Sequence, residues 1–140
     1  MFKGSCLNTL RILKVLAVVA IVFGALTVVS GGRALFGDAQ ARASVGNAVG
    51  FVLWFNFCAG FAYVLTGVGL WQGRRWAARA ASLLALATAL VAAAFGLHVM
   101  GGGAYEMRTV GALALRLMFW VVVALVALRA LKAARNPLSP

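Results

Sequence analysis

Four stretches of this chain, approximately 12–30, 48–71, 80–100 and 109–131, run on with almost no charge. A helix needs about 20 mostly apolar residues to cross a hydrocarbon core of about 30 Å. Each run is of that order. Their apolar residues are continuous, whereas the strands of a membrane barrel alternate apolar and polar positions. Backbone N–H and C=O groups in lipid must pair within the segment, so the runs predict helices. The expected fold is an all-α integral membrane protein: one domain over residues 1–140, built as a four-transmembrane-helix bundle.

Composition excludes the soluble alternatives. The 140 residues are 64% hydrophobic and 11% charged, against about 25% charged in an ordinary soluble domain. A core this small cannot enclose that much apolar surface. The 13 Lys+Arg against 2 Asp+Glu, a net charge of +11, would point to nucleic acid in a polar chain. In a chain of apolar runs the expected partners are membrane lipids with anionic headgroups, and no nucleic acid.

The basic residues also orient the spans. Lys3, Arg11, Lys14, Arg74, Arg75, Arg79, Arg129, Lys132 and Arg135 fall on one side, and Arg33, Arg42, Arg108 and the deeper Arg116 on the other. Nine against four, alternating through four spans, puts both termini in the cytoplasm. Trp71 and Trp76 flank the inner turn at 72–75, where amphipathic rings favour the interface. The first run also loosely fits a signal peptide, with a basic start and small residues around 39–41. Its length and the distance to those residues favour a retained span. The terminal Pro137 cannot continue a helix, so the last span is expected to end before it.

Two outer loops are expected, at 31–47 and 101–108, opening with Gly31-Gly32 and Gly101-Gly102-Gly103. Glycine runs do not continue a helix readily. Asp38 and Arg42 stand four apart, the spacing of a weak ion pair on a short helix. Val45-Gly46 and Val110-Gly111 each precede an aromatic pair, Trp54-Phe55 and Phe119-Trp120, a weak sign of a duplicated hairpin. Helices in lipid associate at small residues. The packing faces expected are Ala17, Ala20, Gly24, Thr27 and Gly31 on the first span, Asn56, Gly60, Tyr63 and Gly67 on the second, and Ala80, Ala87, Ala94 and His98 on the third. Cys58 is expected to be a small buried residue, out of reach of Cys6.

Arg116 is the most informative single residue. It lies two turns into the fourth span, about 10 Å deep at 1.5 Å per residue. An arginine toward the bilayer centre costs at least about 2.5–3.5 kcal/mol, so it faces protein, water or a headgroup. Trp120, one turn further in, offers its face to the guanidinium. Asn56 should lie at similar depth, with Glu106 and His98 above. Together they predict a polar pocket in the outer half of the bundle, able to bind a carboxylate, phosphate, quinone oxygen or lipid headgroup with Arg116 as donor. The structural alternatives are an Arg116 that snorkels outward or pairs with Glu106.

Metal chemistry has thinner support. His98, Met100 and Met107 are soft ligands of a kind that suits copper, and His98 with a methionine is a known pattern of haem ligation. With no second histidine and no Cys-x-x-Cys, neither copper nor haem is expected. One histidine and two acids leave few groups for acid–base catalysis, so no enzymatic activity is expected. No span carries the embedded acid of small multidrug transporters, and the paired cysteines of thiol-oxidising quinone reductases are absent. The leading expectation is an accessory, assembly or structural subunit of a larger membrane complex in a bacterial inner membrane, through association with other subunits or with itself. The alternatives are a membrane protein that binds a small ligand, quinone or lipid headgroup around Arg116, and a small transporter or metal handler.

Overall fold

The computed structural model describes residues 2–136. The final residues 137–140, Pro137 among them, lie outside the described residues. Five helices follow in order: α1 (Phe2–Phe36), α2 (Ala39–Ala43), α3 (Gly50–Trp71), α4 (Arg75–Met100) and α5 (Met107–Arg135). Among the described residues there is no strand. Four of the helices, all but α2, are long and apolar enough to cross a membrane. They coincide with the four apolar runs and extend beyond most of their ends.

The largest extension is in α1. At 35 residues it is about 52 Å long, and it runs straight through Gly31-Gly32, where a loop was expected to open. Gly31 is buried because it packs on α3: a Cβ there would stand 3.2 Å from the Cβ of Phe57. The glycine pair serves close packing and does not end the helix. After α1 stops, Asp38 caps α2 by accepting the Ala41 N–H at 2.8 Å. Arg42 donates its Nε–H to the Gly37 carbonyl at 3.1 Å. The expected Asp38–Arg42 pair is therefore replaced by two bonds to backbone. An N-cap satisfies an otherwise orphaned donor, which an exposed ion pair does not.

Two tight stops set the hairpins. After α3, Gly73 takes φ +68°, its N–H donates to Leu70 O at 3.1 Å and that of Arg74 to Gly69 O at 2.8 Å. After α4, Gly102 takes φ +82°, with Gly102 N–H to Val99 O and Gly103 N–H to His98 O, both at 3.0 Å. Each is a Schellman stop, whose left-handed residue glycine occupies without steric cost. The triple glycine thus ends its helix as expected.

The helices form a ring in which α1 packs on α3, α3 on α4, α4 on α5, and α5 back on α1. The α1–α3 contact is the closest and uses the small faces expected for those spans. A Cβ on Gly24 would lie 2.7 Å from Gly60 O, and one on Gly67 would lie 2.9 Å from Ala17 O. These pairings also show that α1 and α3 run antiparallel. At the centre Trp120, Tyr63, Val123 and Thr88 are fully enclosed. Tyr63 and Trp120 meet with ring centroids 4.8 Å apart.

On α4 the inward face is Ala77, Ala78, Ala81, Thr88 and Phe95, not Ala80, Ala87, Ala94 and His98. The helix is rotated by about one residue, 100°, from the expected face. Alanine occurs on every side of α4, and burying Phe95 and Thr88 decides the rotation. Cys58 corrects a further expectation: it is exposed on the outside of the bundle, and both cysteines are free. The Val-Gly repeat has no structural counterpart, since Gly46 sits in a loop at φ +62° while Gly111 lies inside α5. Trp54 is half exposed and Trp120 fully buried.

Candidate functional site

At the end of the bundle where α2 lies, α1 and α5 do not fill the space between them. The two helices touch through the Phe23 and Phe119 rings, edge to face at 5.8 Å. Beyond that contact lie two adjoining cavities, of about 370 Å³ and about 770 Å³. Both are lined by Thr27, Ser30 and Ala34 of α1, by Ser44 and Val45 after α2, and by Arg116 of α5. The first also takes in Asn56, Glu106 and Arg108. The second reaches Phe23, Leu26, Val29 and Arg33 along α1.

Arg116 is half buried, and its guanidinium lies over the Phe23 ring at 5.4 Å from the centroid. The expected partner was Trp120. A long helical side chain leans toward the helix N-terminus, so Arg116 extends toward Ala112 and the cavity, away from Trp120. Its Nε is buried without a hydrogen-bond partner, and so is Asn56 Oδ1. Arg116 makes no ion pair among the described residues. Buried polar atoms in native proteins are bonded in about nine cases out of ten. A donor and an acceptor are thus left unsatisfied on the wall of one cavity, as Tyr63 Oη and Trp120 Nε1 are in the core.

Glu106 does not pair with Arg116, the structural alternative raised from the sequence. Its Oε1 accepts the Asn47 N–H at 2.9 Å, tying the start of α5 to the segment before α3. Arg108 makes a parallel tie, Nη2 to Ser44 O at 3.0 Å. Both acids of the chain are thus engaged by backbone N–H groups, and neither neutralises Arg116. Glu106→Ala is expected to speed amide hydrogen exchange at Asn47 by about fivefold or more, as a bond of about 1 kcal/mol is lost. Glu106→Gln keeps an acceptor and should leave the rate near wild type. Equal rates in all three proteins would exclude this clasp.

The five residues expected to form the pocket divide into two groups. Arg116, Asn56 and Glu106 line one cavity. Trp120 instead belongs to the core, fully buried against Tyr63, with its Nε1 unpartnered. His98 lies apart from both cavities. Its Nε2 is 3.1 Å from Ala104 O, and its ring meets Phe51 edge-on. The cavities open between α1, α3 and α5, whereas His98 rides on α4, across the ring. Met100 and Met107 are largely exposed, and among the described residues no three of His, Cys, Asp and Glu come together.

Of the α1 wall, sequence reasoning named only Thr27, as a packing residue, and missed the rest. Phe23, Thr27, Ser30 and Ala34 recur at helical spacing on one face, beside the Ala17–Gly24–Gly31 face that packs on α3. Two hydroxyl residues within that row were the available signal. No family model, curated protein or solved structure matches this chain.

Proposed function

We propose that this chain is a multi-pass protein of a bacterial inner membrane that binds a small hydrogen-bond-accepting ligand in the cavity beside Arg116. The observation that carries the reading is a half-buried guanidinium with no carboxylate partner on a cavity wall. A guanidinium at such depth is costly unless something accepts from it. A carboxylate, phosphate or quinone oxygen does so, and Asn56 at the same wall has an amide N–H that can donate a second bond.

The orientation that goes with this reading has both termini in the cytoplasm. It is supported by Arg11, Lys14, Arg74, Arg75, Arg79, Arg129, Lys132 and Arg135 at one end of the bundle, where anionic headgroups favour them. There Lys14 Nζ lies over the Trp71 ring at 5.4 Å. In a Cys58→Ala background, Cys6 should react with a membrane-impermeant maleimide in inverted vesicles and not in intact cells. Labelling of intact cells would reverse the orientation.

Native mass spectrometry of protein gently extracted from its own membranes tests the function. A reproducible small-mass adduct that Arg116→Leu abolishes is the expected result. No adduct, or one indifferent to Arg116, would rule the site out. The subunit reading draws on the outward row Leu83, Leu86, Leu90 and Leu97 of α4, a face that another polypeptide could cover as well as lipid. Additional polypeptides at fixed stoichiometry in the same spectrum would favour it.

A further inference from the structure

We infer that the ligand is an anionic amphiphile, a phosphate- or carboxylate-bearing lipid, that reaches Arg116 sideways through the groove between α1 and α5. This rests on the ligand-binding reading above and adds the class of ligand and its route. The two cavities share Arg116, and both have walls of mixed polarity. The first sets Asn56 and Arg108 beside Arg116. The second runs along Leu26 and Val29, both of which are exposed on the outside of the bundle. A ligand filling both has its polar end at Arg116 and its apolar part against the α1 surface that faces lipid.

Charge selects the sign of the headgroup. Arg33, Arg108 and Arg116 line the two cavities, against Asp38 and Glu106. Each of those acids already accepts a backbone N–H, from Ala41 and Asn47 respectively. The remaining cationic excess favours an anion, and a guanidinium matches phosphate or carboxylate with two parallel bonds. The floor of the groove is closed by Phe23 and Phe119, so a headgroup is stopped at the depth of Arg116. Above, Ser44 and Val45 cover it, and the clasp of Glu106 and Arg108 holds that cover down.

The experiment titrates the delipidated full chain in mild detergent with phosphatidylglycerol, with phosphatidylcholine, and with inorganic phosphate as a competitor, and reads bound lipid by native mass spectrometry. Phosphatidylglycerol should bind the wild type at least about tenfold more tightly than phosphatidylcholine. Arg116→Gln should weaken that first adduct about tenfold to a hundredfold, the worth of a charge-assisted bond. Weaker adducts on the opposite basic end should survive the substitution. Ser30→Trp, at an exposed position on the groove wall, keeps Arg116 and should abolish the same adduct by obstruction.

Equal binding of the two lipids, or an Arg116→Gln protein of unchanged affinity, would overturn the anionic class. Full displacement by inorganic phosphate would identify a free anion in place of a lipid, and unaltered binding by Ser30→Trp would overturn the sideways route. An endogenous adduct that depends on Arg116 while phosphatidylglycerol fails to bind sinks this inference and leaves the site standing. Absence of both adducts from the wild-type protein sinks the site itself.

Discussion

Valine at Gly24 is expected to destabilise the bundle by about 3 kcal/mol, near the top of the range for forced overpacking. A Cβ at this position would stand 2.7 Å from Gly60 O and 2.9 Å from both Tyr63 Cβ and Val64 Cγ2. The nearest obstacle is backbone, which has no rotamer to change. α1 and α3 would have to move apart along their whole contact, loosening the Ala17–Gly67 and Gly31–Phe57 approaches as well. In lipid or detergent, helix association depends on such close contact, because the surroundings are as apolar as the interface. Reversible unfolding in mixed detergent micelles, followed by tryptophan fluorescence, measures the loss. Gly111→Val is the control, since a Cβ there meets nothing within 4 Å. Similar stability of the two variants would refute the account. Gly60→Val strains the same contact, with Gly24 O 3.0 Å away, so the double variant should cost less than the sum of the two singles.

Arg116→Leu is expected to act in the opposite direction, stabilising the ligand-free bundle by about 1–3 kcal/mol while abolishing the small-mass adduct. Removing a half-buried charge with no counter-charge relieves a desolvation cost that no carboxylate in the chain offsets. The cation–π contact with Phe23 returns part of that cost, about 1 kcal/mol, which sets the lower end of the expected range. The same unfolding measurement on delipidated protein decides it. A destabilisation of comparable size would make Arg116 a strut held by Phe23, and the case for a ligand would lose its main support. Stabilisation together with loss of the adduct is the signature of a residue kept for binding at the expense of stability.

Much of the architecture was legible in the sequence for a local reason. An apolar run of spanning length must close its own backbone hydrogen bonds, whatever surrounds it. The four long helices follow from that alone, and so do the stops at Gly73 and Gly102, whose left-handed φ is a local demand. The α1–α3 seam was legible too, because Gly24, Gly31, Gly60 and Gly67 stand out among larger neighbours. Of the site, Arg116 and Asn56 were legible as polar residues at similar depth, and Glu106 as an acid above them. Their relations were not: Glu106 turned to Asn47, and Arg116 to Phe23 in place of Trp120.

The division has one physical cause. A soluble helix marks its inner face with an apolar stripe, but a helix meant for lipid is apolar on both its inner and its outer side. Where small residues are few, as on α1 and α3, they still mark the contact. Where alanine fills every side, as on α4, only the assembled ring selects Ala81, Thr88 and Phe95 as the inward face and leaves His98 remote from the cavities. The sequence by itself determined the number and approximate position of the long helices and the small-residue seam of α1 and α3. Only the tertiary structure decided which groups meet across them, and so left the guanidinium of Arg116 unpaired on an open groove.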